Sequence, residues 1–201
     1  MGPGPVGFDL DMTLIDSRPA IMAAFAELAR ETATPIDLSA VDHRLGIKLE
    51  DEVTFWFPPD QQAAAIAIYR KHYVGLAERM TKALPGAHEA LAAVHAAGRR
   101  AVIITAKHPV SVEPGMRAVG LAADELFSHV HGPEKAAVLS RINAAAYVGD
   151  TPPDMAAAIA AGITAVGVAT GSFGRQELSD AGAEVLLDSL EGFPAWYRSV
   201  G

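Results

Sequence analysis

The run Arg100-Ala101-Val102-Ile103-Ile104-Thr105 limits the possible folds more than any other stretch of the chain. It is apolar at four consecutive positions, so as a strand it must be buried on both faces. Strands of that kind belong to parallel sheets with a layer of helices on each side. The pattern recurs along the chain. Ala145-Ala146-Tyr147-Val148 leads into Gly149-Asp150, and Ile163 to Val168 is a second apolar run. Shorter strands are expected near Phe127 to His131 and Glu184 to Leu187, and Val6-Gly7-Phe8 opens the chain with one more. Helical spacing fills the gaps: Ala87 to Ala97, Val110 to Val119, Glu134 to Ile142, Pro152 to about Ala161, and Arg175 to Ala181. The expected fold class is therefore α/β, a Rossmann-like doubly wound parallel sheet. Pro114-Gly115 is expected to bend or shorten the helix that contains it.

One segment breaks the alternation. From Ser17 to about Leu84 no strand pattern is found. Ser17 precedes a proline-started helix with Ile21, Phe25, Leu28 and Ala29 at helical spacing. Two short helices are expected, from Ser39 to Leu45 and from Glu50 to Phe57. A long one follows to Met80, with Ile66, Tyr69, Tyr73 and Leu76 near one face. The expected organisation is a core of residues 1–16 and 85–201 with a small all-helical insert, 17–84. With 201 residues, half of them hydrophobic, the chain can bury one domain core plus such an insert. The opening Met1-Gly2-Pro3-Gly4-Pro5 is expected to be floppy, and the aromatic Phe193, Trp196 and Tyr197 to close the core in a C-terminal turn.

Several function classes are excluded by content alone. A formal net charge of -8 argues against sequence-independent nucleic-acid binding. The absence of cysteine removes disulfides, thiolate catalysis and cysteine zinc sites. No apolar run approaches ~18 residues and no signal region precedes the first strand, so no membrane partner is expected and the reading is cytoplasmic.

The chemistry concentrates at strand ends. Asp9, Thr105 and Asp150 each terminate an apolar run, and core packing requires none of them. In open parallel sheets ligands bind beyond the carboxyl ends of the strands, so the three should meet at one edge. Asp11 lies two residues past Asp9, on the same side if the strand continues through both. Asp154 is one helical turn past Asp150, and Lys135 begins its helix. Two carboxylates at the end of a buried strand repel one another and are costly to desolvate. A divalent cation, or a reaction using one as nucleophile and the other as acid or base, would explain them.

The set resembles the haloacid dehalogenase (HAD) superfamily at four motifs in order. These are Asp9-Leu10-Asp11-Met12-Thr13-Leu14, Thr105 after its strand, Lys135 within Gly132-Pro133-Glu134-Lys135, and Gly149-Asp150-Thr151-Pro152-Pro153-Asp154. The insert after the first motif resembles the small helical cap of the phosphoglycolate-phosphatase-like branch, and Gly162-Ile163 and Thr170-Gly171 are similar to that branch too. Met12 stands where many relatives have glycine.

The resemblance implies a phosphatase acting on a small phosphorylated metabolite, as a monomer or homodimer. Asp9 would be the nucleophile and Asp11 the acid and base. Mg2+ would sit on Asp9, Asp150 and the backbone carbonyl of Asp11, and Asp154 would orient a metal-bound water or Lys135. Thr105, the amides of Ala106 and Lys107, and Lys135 would hold phosphate oxygens. Arg44, Gly46 and Lys48 fall where related caps project a substrate-selecting loop, and Arg44 and Lys48 are the residues expected to meet an anionic leaving group; a plain surface loop is the competing reading. A sugar-phosphate mutase of the same fold is the alternative, and a non-catalytic phospho-receiver or metabolite-binding protein is the alternative of another class. A dehalogenase is disfavoured because carbon–halogen displacement has no use for Asp11, and a Schiff-base hydrolase because the lysine spacing does not match. His129 and His131 should face one way on a strand, in a surface or core role. Trp56 and Phe57 read as packing within the insert.

Overall fold

The computed structural model describes residues 4–200. β1 (Val6–Phe8) is followed by a tight turn and β2 (Ile15–Asp16). Four helices come next: α1 (Arg18–Thr32), α2 (Leu38–His43), α3 (Leu49–Glu52) and, after a 3-10 turn at Val53–Phe55, α4 (Pro59–Met80). β3 (Lys82–Ala83) ends the helical block. The remainder alternates: α5 (Ala87–Ala96), β4 (Ala101–Ile104), α6 (Pro109–Val119), β5 (Glu125–Phe127), α7 (Pro133–Arg141), β6 (Ala146–Gly149), α8 (Pro152–Ala160), β7 (Thr164–Val168), α9 (Arg175–Asp180), β8 (Val185–Leu187) and α10 (Phe193–Val200).

The six longer-range strands form one parallel sheet in the order β5-β4-β1-β6-β7-β8. Strand alternation sends Ala101 and Ile103 to one face and Val102 and Ile104 to the other. The first pair packs with Leu91 and Val94 of α5 and Phe193 and Tyr197 of α10. The second packs with Leu139 of α7 and Met155 and Ala158 of α8. Both faces are thus covered, as four-residue apolar strands demand. Phe8 is wholly buried against Phe193, with ring centroids 5.3 Å apart, and Phe193 stacks on Tyr197 at 5.2 Å. Burying a side chain of that size contributes about 1.5–3 kcal/mol, which anchors β1 one residue before Asp9.

The helical block has its own core, with Phe25 and Leu28 of α1 packed against Tyr69 and Tyr73 of α4 and against Val41, Val53 and Phe57. Its two ends are joined by an antiparallel ladder, Ile15 opposite Ala83 and Asp16 opposite Lys82. That ladder was not visible in the sequence, because two residues carry no periodicity.

Four further expectations are corrected. α6 runs through Pro114 and Gly115 unbroken, because the bond the proline forfeits is to the Val110 carbonyl, in an exposed first turn. The strand expected at Phe127 to His131 ends at Phe127, and His129 adopts a left-handed backbone (φ 61°), so the two histidines do not share a strand face. Residues 1–3 of the opening expected to be floppy lie outside the described residues, but Pro5 is buried and its carbonyl accepts from the Ala145 amide at 2.8 Å. The C-terminal aromatics sit on a helix, α10, in place of a turn. Among the described residues no helix is long and apolar enough to cross a membrane.

Candidate active site

The sheet order dictates the site. β1 lies between β4 and β6, with Phe8 opposite Ile103 on one side and Val148 on the other. The residues that follow these strands therefore emerge side by side: Asp9, Thr105 and Asp150. The Asp9 amide continues the ladder to the Val148 carbonyl at 2.8 Å, fixing where its side chain starts. Asp9, Thr105 and Asp150 are all buried.

Lys135, on the first turn of α7, is buried and reaches two carboxylates, Asp9 Oδ1 and Asp154 Oδ1, both at 2.7 Å. Asp154 is held by the start of α8. Its Oδ2 accepts from the Thr151 hydroxyl at 2.6 Å and the Thr151 amide at 3.2 Å, while the Thr151 hydroxyl accepts from the Asp154 amide. This capping box satisfies two helix-start donors and orients the carboxylate that steadies Lys135. Asp150 Oδ1 accepts from the Thr13 hydroxyl at 2.7 Å. Gly171 stands against the other oxygen; a Cβ there would lie 1.9 Å from Asp150 Oδ2.

Asp9, Asp150 and Asp154 bring carboxylate oxygens within 4.8 Å of one another. When all three carboxyls are ionised, the Lys135 ammonium balances one of them and leaves two negative charges in a buried space. Burial pushes the Asp9 carboxyl up from 3.8 to about 7, with Lys135 opposing and Asp154 and Asp11 reinforcing. Burial, Asp9 and Asp154 push Asp150 up as well. Burial works to lower the Lys135 ammonium, but Asp154 and Asp9 together raise it well above its ordinary value. A site of oxygen donors that lacks two positive charges fits a hard divalent cation.

The turn after β1 explains two more residues. Met12 takes a left-handed backbone, φ 59°, which is the conformation that favours glycine at this position. The turn closes through Met12 N–H to the Ile15 carbonyl at 2.8 Å, and its buried side chain secures it. Asp11 projects toward the helical block, where its Oδ1 accepts from the Ser17 hydroxyl and pairs with the Lys107 ammonium at 2.7 Å.

The resemblance assigns Lys107 only a backbone amide for phosphate, and its side chain has partners of its own. Its side chain is only 9% exposed, so it is not a surface group. It contacts the Tyr73 hydroxyl at 2.6 Å, and its own amide donates to Thr105 Oγ1 at 3.2 Å. Arg44 and Gly46 line the cavity above Asp9 and Asp11, a space of about 80 Å3 walled by Phe25, Leu45, Tyr69 and Tyr73. Arg44 is committed to the buried Glu52, at 2.8 and 2.6 Å, and Glu52 also accepts from the Trp56 indole at 2.9 Å. Lys48 does not line the cavity and pairs with Glu134 at 2.8 Å. The site thus gathers Asp9, Asp11, Thr105, Ala106, Lys107, Lys135, Asp150 and Asp154, with Arg44 and Gly46 above and Lys48 at the rim. Thr13, Ser17, Tyr73, Glu52 and Gly171 join it unforeseen. A hydroxyl two residues after Asp11 was a usable signal for Thr13; the others meet the site only through tertiary contacts.

The family model for haloacid dehalogenase-like hydrolases matches residues 6–137, and a second, HAD-hydrolase-like model matches residues 121–192. The chain belongs to the haloacid dehalogenase-like hydrolase family. Within the HAD family it falls in the phosphoglycolate-phosphatase-like branch and is a phosphatase of that branch. It is 30% identical to a phosphoglycolate phosphatase of Cupriavidus necator, over 93% of this chain and 90% of that one. It is 28% identical to a probable phosphatase of Dickeya dadantii, over 91% and 88%. Among solved structures, a HAD-like hydrolase of Streptococcus pneumoniae superposes with a TM-score of 0.82 at 21% identity, over 96% of this chain and 98% of that one, a likeness of fold.

Proposed function

We propose that this HAD phosphatase hydrolyses a small phosphomonoester with the help of Mg2+ and through a phosphorylated Asp9. The observation that carries the reading is the cluster of three buried carboxylates, Asp9, Asp150 and Asp154, with Lys135 bridging two of them and Thr105 at the neighbouring strand end. Asp9, Asp150 and the backbone carbonyl of Asp11 would hold the ion, which when bound offsets charge on the carboxylate and the phosphate.

An Asp9 oxygen attacks phosphorus as the bond from phosphorus to the alcohol oxygen breaks. Asp11 gives a proton to that departing oxygen. Asp11 then takes a proton from the attacking water, whose oxygen displaces Asp9 from phosphorus and releases inorganic phosphate. Lys135 and the Thr105 hydroxyl hold the transferring oxygens, and the Ala106 amide is placed to assist. Asp154 acts through Lys135, fixing it between two carboxylates. The helical block, residues 17–84, serves as a cap over the core, and closure excludes bulk water. A cavity of about 80 Å3 suits a leaving group of few heavy atoms. Phosphoglycolate is the first substrate to try, given the relatives' names.

The test is a phosphate-release screen over small phosphorylated metabolites and an aryl phosphate, with Mg2+ and with chelator, followed by acid quench to trap phosphate on Asp9. Release that needs Mg2+ and disappears in Asp9→Asn is expected. Silence on every substrate, the aryl phosphate included, would sink the reading. Isomerised phosphosugar without released phosphate would point to a mutase instead.

A further inference from the structure

Asp11 is the proposed proton donor, and its support comes from outside its own strand. Both of its contacts fall on Oδ1: the Ser17 hydroxyl and the Lys107 ammonium at 2.7 Å. That leaves Oδ2 for the proton that moves. Lys107 is itself fixed from two sides. The Lys107 carbonyl accepts from the His129 amide at 2.8 Å, which pins its backbone to the loop after β5. Its ammonium meets the Tyr73 hydroxyl at 2.6 Å and lies 4.4 Å from the Tyr73 ring centroid. Tyr73 belongs to α4 of the helical block and is almost fully buried, stacked on Tyr69 at 5.7 Å. A chain of contacts therefore runs from the helical block, through an amine of the core, to one oxygen of the acid.

We propose that Lys107 is a positioning residue for Asp11, and that the helical block completes it through the Tyr73 hydroxyl. The proposal rests on the assignment of Asp11 as acid and base. It differs from a phosphate-binding role for Lys107, because the ammonium is spent on Asp11 and Tyr73 and the phosphate oxygens are left to Lys135 and Thr105. A flexible four-carbon amine has many rotamers; two oxygen partners within 2.7 Å and a ring face select one of them. Removing the Tyr73 hydroxyl frees Lys107, and removing Lys107 frees Asp11.

The distinguishing experiment is a single-turnover measurement with enzyme in excess and Mg2+ present. It follows release of the alcohol, the step in which Asp11 protonates the leaving oxygen. Two substrates are compared: an alkyl phosphate, whose alkoxide must be protonated, and an aryl phosphate, whose phenolate need not be. Lys107→Met should slow alkyl release by about 100-fold, the scale of a lost proton transfer, and aryl release by under about tenfold. Tyr73→Phe, which keeps the ring, should show the same selectivity at about a tenth of that size, and Lys107→Arg should recover part of it. Inhibition by inorganic phosphate should change by less than about threefold in all variants. Equal losses on both substrates, or a weakening of phosphate inhibition that matches the loss in rate, would overturn the proposal in favour of phosphate binding. Thermal unfolding of each variant identifies a misfolded one, and Tyr73→Phe then stands as the independent arm. If wild type turns over neither substrate, the phosphatase reading itself has failed; if it turns over both and the variants lose no selectivity, only this proposal has.

Discussion

Replacing Lys135 with methionine keeps the length and packing of the side chain and deletes one charge. The ammonium removed is 5% exposed and sits 2.7 Å from both Asp9 and Asp154, which are 8% and 1% exposed. Asp9, whose carboxyl is pushed up to about 7, already holds its proton at pH 5 and is ionised at pH 8, so it loses a charged partner only at the higher pH. Breaking a buried ion pair from one side costs about 3–5 kcal/mol. That cost therefore falls in full at pH 8, and it is smaller at pH 5, where the site carries one negative charge fewer. Lys135→Met should therefore be destabilised more at pH 8 than at pH 5, by about 1–3 kcal/mol, a difference of several degrees in Tm for a chain this long. Urea unfolding in chelator at the two pH values measures it. A variant within about 1 kcal/mol of wild type at pH 8, or one hurt equally at both values, would refute the account of Lys135 as the counter-charge of this site.

Other expectations share the same geometry. Gly171→Ala places a Cβ 1.9 Å from Asp150 Oδ2 and must displace that carboxylate; Mg2+ affinity by titration calorimetry should fall at least about tenfold, and an unchanged affinity would exclude Asp150 as a ligand. In chelator, the raised Asp9 and Asp150 carboxyls make the folded state hold protons that the unfolded chain has already released. Wild-type stability should accordingly fall as pH rises from about 4 to about 7, and added Mg2+ should stabilise more at pH 8 than at pH 5; a urea midpoint that rises over that interval contradicts this. Arg44→Ala leaves Glu52 buried without its cation and should cost about 3–5 kcal/mol, whereas Lys48→Ala breaks a pair whose glutamate is 59% exposed and should cost under about 1. If either variant keeps kcat/KM across the substrate panel, that residue has no part in choosing the leaving group.

Much of this was legible beforehand for a physical reason. Strands such as Ala101–Ile104 must be buried on both faces, and that requirement is written in four consecutive residues. Once such strands are parallel, their polar end residues converge, so Asp9, Thr105 and Asp150 could be grouped without coordinates. Lys107 could not be read this way. Its neighbours in sequence are Ala106 and His108, and nothing there announces a buried amine; its partners Tyr73 and Asp11 lie on other elements. The partner of Arg44 was hidden for the same reason, because its pairing with Glu52 depends on the fold of the 3-10 turn that brings Glu52 and Trp56 together. Charge identity is local, but charge partnership is tertiary.

The two-residue ladder between Ile15–Asp16 and Lys82–Ala83 has a consequence for how such proteins can diversify. It brings the two ends of a long insertion side by side, so the sheet meets that insertion as it would any surface loop. Loop closure grows dearer by only about 0.6 kcal/mol for each doubling of length. Whole recognition modules of different size could be exchanged at this junction while β1, β4 and β6 keep their register and their end residues their spacing. The coupling from Tyr73 to Lys107 sets the condition on such a swap: a transplanted module must bring its own group to meet the amine.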